Sequence, residues 1–520
     1  MTDRFSEANA SRELADFFDC PGLPAALDNA RSTSRPRAEL ARELADQARR
    51  LGAHPNVLTQ AERLAVPGSA AVVTGQQAGL LLGPNYTIAK SMGARSLAAR
   101  LDSKEQPVVP VFWLASQDHD VQEVDHTFVL DLDEQLHRIS LEMLPGVPAS
   151  RQPWWPGWAD NVAAQLARGR WQPEFLEQVT GLLAAAGEKA NNWADFFAAL
   201  YYGLLGEDAP LLLDPAQPGI AAMFRGTLAR EIENPTAGVE SINEAGAELR
   251  RMGFTPQLGR GRGATNLFIL TKGNSGVLER QLLRFDGARF QAGKEDWSRE
   301  ELLAVLDAEP GRITPAAGLR PIVQDALLPT AAFVVGPGEL KYIAQLRGVY
   351  RQHGVNQPVI WPRAEMTVIE PPVARIMANL GLEPDAYAGD PDRFERDIML
   401  RHSGAARHFE QGLASLQEAQ AELGSALLGI DPTLQGAVDR HSARVAGSIA
   451  LLQEKAAAAA LRRSDVLGSQ FGRLRQHLLP AGSMQERLIS PVSFVLKFGL
   501  EPMRRLYRQV PESGSVNLEP

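Results

Sequence analysis

A short apolar run, a glycine-bearing loop, a segment with helical spacing and a second apolar run follow one another between Ala70 and Ala115. Ala70 to Thr74 reads as a buried strand after the Pro67-Gly68 breaker, and Gly75 to Pro84 as the loop leaving it. Ile88, Met92, Leu97 and Leu101 mark the inner side of a helix from Asn85 to Leu101, and Pro107 to Ala115 is the next strand. The same order returns with Ala331 to Val335 as strand, Gly336-Pro337-Gly338 as turn, Glu339 to His353 as helix and Pro358 to Trp361 as strand. Strands apolar throughout are buried on both faces, and parallel neighbours need a right-handed crossover. Two such halves predict an α/β, doubly wound sheet with both turns facing one crevice at the strand ends, where open sheets bind ligands.

The chain around these halves changes character. Residues 36–65 have helical spacing, and Trp154-Trp155-Pro156-Gly157-Trp158 is an aromatic segment best read as packing. Residues 172–205, 219–233 and 236–252 read as helical, Pro210 to Asp214 as a sheet strand, and Asn266 to Thr271 and Arg280 to Phe290 as small strands. These middle segments are expected to decorate the core. Further on, Phe409, Leu413, Leu416, Leu423, Leu427 and Ile430 keep alternating steps of four and three, with Gln420 at the skipped position. Asp431-Pro432 can cap and open a new helix, after which Val438, Val445, Leu452, Ala456 and Ala459 continue a seam. This is the pattern of an antiparallel coiled-coil arm, which commonly serves dimerisation, with an arm folded on its own core as the alternative.

At 520 residues the chain exceeds what one core usually supports, so more than one structural unit is expected. Its net charge of −9 disfavours a nucleic-acid partner. The one cysteine, Cys20, excludes an internal disulfide and fits a reducing cytoplasm. Met1 to Ala10 lacks an apolar signal core, and no apolar run is long enough to span a membrane.

Three groups of residues can carry chemistry. Thr74, Gly75, Gln76 and Gln77, with Gly83, Asn85, Tyr86, Thr87 and Lys90, combine a loop, a helix N-terminus that attracts anions and a lysine in the first two turns. The Walker pattern is absent, and a tight turn with a solvated lysine is the bland alternative. Asp118, His119 and Asp120, followed by Glu123, Asp125 and His126, crowd carboxylates and imidazoles after a buried strand. Such a cluster can bind a metal, hold an ammonium or transfer protons, with a polar loop with caps as the alternative; the carboxylates are expected to favour the charged form of His119, and no metal is assigned. Arg320, Gln324 and Asp325 precede Gly336, Gly338, Glu339 and Tyr342, and Arg363 ends the next strand, where it suits a carboxylate or phosphate. Arg320 and Asp325 can also simply pair, and Glu339 can simply complement its helix dipole.

The stretches VVTGQQAGLLLGPNYTIAK, VPVFWLASQDHDVQEVDH, LRPIVQDALLPTAAFVVGPGELKYIAQL, PVIWPRAEMTVIEP and LLPAGSMQERLISP, in this order, resemble the cysteine-adding enzymes of bacillithiol biosynthesis. The resemblance runs from about residue 12 to 510, with Ala89, Gln117 and Val335 departing from the usual residues. It implies a Rossmann-like core resembling class I aminoacyl-tRNA synthetases, with connective insertions and a C-terminal coiled-coil arm. The chain then divides into N-terminal helices and the first half-core (1–150), a first insertion (151–209), a core segment (210–235), a second insertion (236–318), the second half-core (319–390), the arm (391–475) and a C-terminal segment on the core (476–520).

The resemblance further implies a cytoplasmic ligase that joins cysteine to glucosaminyl malate through an amide bond, the last step of bacillithiol synthesis. ATP or ADP is the expected nucleotide and a homodimer through the arm the expected assembly; the metal requirement is open. Asp118 and Asp120 would hold cationic groups such as the cysteine ammonium, and His119 would act as base toward the sugar amine. Lys90, Arg320 and Arg363 would meet malate carboxylates or a phosphate. The synthetase HIGH and KMSKS signatures are not recognisable, so the route of carboxyl activation stays open. A synthetase-like ligase or nucleotidyltransferase with another substrate, and a non-catalytic dimeric scaffold, are the alternative functions.

Overall fold

The computed structural model describes residues 17–19, 22–155, 157–273 and 276–520. Met1 to Ala10, Cys20 and Pro156 lie outside the described residues. The described chain divides into two compact units, Val368–Gln485 forming one and the remainder up to Leu518 the other.

The larger unit is built on five parallel strands. Across the sheet they run Val359–Pro362, Thr330–Val335, Ala70–Gln76, Val108–Leu114 and Leu211–Leu213. The chain therefore starts in the middle, winds outward one way through Leu211–Leu213, then returns to wind the other way. The reversal falls between Ala70–Gln76 and Thr330–Val335, which is where a doubly wound sheet opens a crevice. All seven residues of Val108–Leu114 are buried, as expected of a strand covered on both faces. On one face Ala70, Val72, Val108 and Val334 pack with Ala94, Leu97 and Ala98 of helix Tyr86–Leu101 and with Ala30 of helix Leu23–Ser32. Each buried valine or leucine among them contributes about 1.5–3 kcal/mol. On the opposite pleat Trp113 stacks on Phe224, with ring centroids 5.9 Å apart.

A second, antiparallel sheet runs in the order Ile313–Pro315, Ala264–Lys272, Leu278–Phe285, Phe290–Ala292, Glu295–Trp297. The strand expected over 280–290 is thus two strands, parted at Asp286-Gly287, where Gly287 has φ +110°.

Several long helices expected from the periodicity are pairs. Residues 36–65 form Arg37–Arg50 and Pro55–Ala65, because Gly52 turns left-handed (φ +75°) and His54 caps the second helix. Residues 172–205 break before Asn192, whose side chain accepts from the Asp195 amide at 3.0 Å. Residues 219–233 form Pro218–Ala222 and Arg225–Glu233. Residues 339–353 become Pro337–Ile343 and Arg347–His353, parted where the buried Gln345 side chain bonds Ile242 and Leu258.

The smaller unit holds two long helices, Ala405–Ile430 and Gln435–Leu461. Asp431 caps the short turn between them by accepting from the Thr433 amide at 2.8 Å. A Cβ on Gly424 would stand 3.2 Å from Val438, so the helices approach closely there. At the other end of the unit, Val373, Met399, Phe471 and Leu474 form a core that Phe409 joins. Among the described residues no helix is long and apolar enough to cross a membrane.

Candidate functional site

The crevice at the sheet reversal is shaped by backbone that tolerates few side chains. A Cβ on Gly75 would lie 2.5 Å from the Trp113 carbonyl oxygen, so only glycine lets the two strands run side by side here. Thr74 is fully buried and its hydroxyl donates to the Val334 carbonyl at 2.9 Å, tying the two central strands together. Beyond the strand, Leu81 and Leu82 adopt positive φ (50° and 68°), a conformation that costs a leucine about 1–2 kcal/mol. Anchors from elsewhere hold it. The Leu80 amide donates to Val124, the Asn85 amide to Ile489 at 2.8 Å, and the Ser490 hydroxyl to the Leu81 carbonyl at 2.8 Å.

Three abutting cavities of about 280, 380 and 270 Å³ open on this crevice, and Gln76 and Glu123 line all three. The first also takes Gln77, Trp113, Arg320, Gln324 and Phe333. The second lies between Tyr86, Lys90, Gly338, Arg363 and Arg487. The third sits over Gly79, Gly83, Pro84 and Thr87. Glu339 and Tyr342 line the first two.

Lys90 is buried beneath the second cavity. It donates to the Gly75 carbonyl and the Gln76 side-chain oxygen, each at 2.9 Å, and lies 2.5 Å from Glu339 Oε2. Burial pulls the Lys90 ammonium below its ordinary value, and Glu339 opposes that pull. Gln76 also donates to the Tyr86 hydroxyl at 3.0 Å. Burial, with the charges of Glu339 and Glu123, pushes the Tyr86 phenol up to about 12. Burial raises the Tyr342 phenol as well, so both tyrosines stay protonated.

Arg363 differs from expectation. Both of its terminal nitrogens bond the Glu486 carboxylate, and both side chains are almost wholly buried. The guanidinium is committed to an internal pair, 5.7 Å from the Tyr86 ring centroid, rather than open to an anion. The carboxylate partner, more than a hundred residues away, gives no local signal.

The Asp118–His126 cluster disperses. Asp118 accepts from Arg320 Nη2 at 3.2 Å and lies 3.7 Å from Arg280 Nη1. Burial alone would raise its carboxyl, but Arg320 and Arg280 outweigh burial and hold it well below the usual carboxylate range. Asp118 is therefore already neutralised by two arginines, which corrects its expected role of holding a substrate ammonium. Burial and Arg280 lower His119, against the pull of Asp118 and Asp120, so His119 favours the neutral form and not the charged one expected from its neighbours. Asp120 accepts from the Gln122 amide at 3.2 Å and caps a turn. Asp125 pairs with His126 at 2.7 Å. Among the described residues no group of three or more histidine, cysteine or carboxylate side chains converges to hold a metal ion.

Other expected residues sit apart. Arg320 reaches Asp118, so the alternative of a simple pair with Asp325 does not form. Asp325 is buried, accepts from the Tyr350 hydroxyl at 2.5 Å and from Gln324 at 3.0 Å, and burial pushes it up to about 6. It lines a separate narrow cleft beside Thr330, at the opposite strand ends. Asn85 is buried at the helix start, 3.5 Å from the Tyr507 hydroxyl. Conversely, Trp113, Phe333 and Arg487 line the crevice, and Arg280 meets His119 and Asp118 from the antiparallel sheet, without having been singled out. Glu123 was visible only as one acid among several. Arg487 lies in the C-terminal stretch that carries the family resemblance; Arg280 has no signal in its own neighbourhood.

Two family descriptions match the chain. Residues 9–364 match the N-terminal Rossmann-like domain of bacillithiol biosynthesis BshC, and residues 366–514 its C-terminal coiled-coil domain. A protein of Thermus thermophilus is 38% identical, covering 94% of this chain and 95% of the relative. Relatives from Salinibacter ruber (31% identical, 95% and 92% covered) and Geobacillus kaustophilus (30%, 88% and 85%) are similar along their length. Each of the three bears the name "Putative cysteine ligase BshC".

Proposed function

Because the chain belongs to the BshC family of bacillithiol biosynthesis, we propose that it is a cysteine ligase acting on glucosaminyl malate. The bond formed is an amide between the cysteine carboxyl and the sugar amine; the C–O bond of the carboxylate breaks, and its oxygen leaves on the phosphate or AMP of the activating nucleotide. The observation that carries this reading is the junction at Gln76 and Glu123, with Arg320 on one side and Arg487 on the other. A substrate carboxylate on one side, the phosphates of an activating nucleotide on the other and the sugar ammonium at the junction match that distribution of charge.

In this reading Arg320, still partly exposed beside Asp118, holds a carboxylate. Glu123 receives the proton that the sugar ammonium must shed before its nitrogen can attack. Gln76, fixed between Lys90 and Tyr86, orients the groups that meet at the junction. Lys90 and Glu339 keep the floor of the second cavity closed and polar.

Making an amide from a free carboxylate is uphill, so the carboxyl needs activation, and an adenine nucleotide is the proposed source. When bound, it supplies the phosphoryl or adenylyl group that turns the carboxylate oxygen into a leaving group. The second cavity suits an anion of this kind. An added Cβ on Gly338 would stand in open space, leaving the main chain approachable, and Arg487 lines the same cavity. Arg487 and the Gly338 main chain would hold the phosphates.

The helical arm is proposed to make a homodimer. Leu423, Ile430 and Leu452 are 65%, 79% and 57% exposed, and Leu416, Leu427 and Leu451 add to this apolar surface. A working place in the cytoplasm belongs to the same proposal.

The test is a mass-spectrometric assay of the purified protein with glucosaminyl malate, cysteine and ATP, each omitted in turn. Product that needs all three supports the reading. Product without ATP removes the nucleotide from it, and no product in the complete mixture overturns the substrate assignment.

A further inference from the structure

Among the described residues, His119 has one ring nitrogen committed and one without a partner. Its Nδ1 lies 3.1 Å from Nη1 of Arg280. A guanidinium has five N–H donors and no acceptor, and it keeps its charge in proteins. The contact is therefore a hydrogen bond only when Nδ1 carries a lone pair; a proton there would set donor against donor. Arg280 is not free to turn away. Its Nε donates to Thr314 Oγ1 at 3.0 Å and its Nη2 to the Pro315 carbonyl at 2.7 Å, and its plane lies over Phe268, 3.9 Å from the ring centroid. Arg280, Thr314 and Phe268 stand on adjacent strands of one sheet, so the donor is aimed by a rigid element. Phe268 also faces the His119 ring at 5.5 Å.

We infer that Arg280 fixes His119 as the neutral tautomer with its proton on Nε2, so that His119 serves the reaction as a hydrogen-bond donor and not as a base.

The charged groups around the ring agree with this. Asp118 Oδ1 is 3.7 Å from Nδ1, beyond hydrogen-bond reach, and that carboxylate is engaged by Arg320 and by the His119 main-chain amide. Asp120 acts from the same segment, and its carboxylate caps the next turn. Burial and Arg280 together favour the uncharged ring over the opposing pull of the two aspartates. Among the described residues no side chain or carbonyl bonds Nε2, and the side chain is 32% exposed, so the Nε2 proton is available to a ligand. A donor of this kind, held in advance, suits the carboxyl oxygen on which negative charge grows as the amine adds. The assignment of this role rests on the ligase reading; the tautomer does not.

Two measurements separate the two. In protein labelled with ¹⁵N-histidine, with the His119 signals assigned from a His119→Gln difference spectrum, Nε2 should resonate as the protonated nitrogen and Nδ1 as the bare one at neutral pH. The reverse pattern, or a doubly protonated ring, overturns the proposal whatever the reaction. In the ligase assay His119→Gln, whose amide can still donate, should turn over about tenfold faster than His119→Ala, the order expected of one hydrogen bond. Equal loss in both, with folding verified by circular dichroism, overturns the donor role. If the wild-type protein gives no product, the ligase reading has failed, and the ring spectrum still decides the tautomer.

Discussion

Lys90 and Glu339 meet through a single carboxylate oxygen that has two tasks. Oε2 of Glu339 accepts from the Gly336 amide at 2.9 Å, closing the start of its own helix, and lies 2.5 Å from the Lys90 ammonium. The lysine is almost wholly buried and the glutamate is partly open to the crevice. Removing one partner of a buried pair leaves the other charge uncompensated, which costs more than removing both. Glu339→Gln should lose about 3 kcal/mol in urea unfolding, and the double variant Lys90→Met/Glu339→Gln should recover part of that loss. A double variant less stable than the single one would show that the pair is not what holds the turn.

Asp118 and Asp325 should bend the pH dependence of stability in opposite directions. Asp118 titrates below its unfolded value, because Arg320 and Arg280 outweigh burial. Its contribution is present above about pH 4 and is lost as pH falls through the folded value. Asp118→Asn should therefore melt below wild type at pH 7, with the gap narrowing as acid is added. Asp325 is raised by burial to about 6. Its contribution is complete below about pH 4 and is lost as pH rises toward 6. In Asp325→Asn that particular decline should vanish from melting temperatures recorded between these limits.

Gly75→Ala should destabilise by about 1–3 kcal/mol, the usual range for overpacking a filled interior. The clash is with the Trp113 main chain, 2.5 Å from the new Cβ, and main chain in the middle of a sheet yields little. Thermal unfolding of the variant beside wild type reads this directly. An unchanged melting temperature would mean that the two strands can part at the crevice.

Glu123→Gln keeps size and loses the proton acceptor. Turnover in the ligase assay should fall about 100-fold, at the low end of what a general base supplies. Stability should hold, because Glu123 lines three cavities and makes no ion pair among the described residues. A variant with full turnover would move the base elsewhere in the crevice.

The half-cores were readable because their strands are apolar throughout and are punctuated by proline and glycine, and a buried parallel sheet leaves that imprint on consecutive residues. The two long helices of the arm were readable from spacing, but the expected seam is not buried between them: Leu423 and Ile430 are exposed, and the close approach is at Gly424 and Val438. The site was less legible. Thr74, Asn85 and Asp325 lie in segments dense with polar residues, yet their side chains serve the interior, because a buried hydroxyl, amide or carboxyl must find a partner wherever the fold supplies one. Arg363 met Glu486 and Asp118 met Arg280 and Arg320, pairings across more than a hundred residues that no local period encodes. Glu123 could not be told from Asp120 and Asp125 until the backbone turned them different ways.

The strained Leu81-Leu82 bend takes two of its anchors from Ile489 and Ser490, some four hundred positions further on. During synthesis the first strand and its helix leave the ribosome long before those partners exist. A nascent chain can bury the central strands early, but the bend must wait in an unstrained form until nearly all of the protein has been made. Birth order thus keeps the crevice unfinished until last, and a chain released short of Ser490 would carry a sheet without a working mouth.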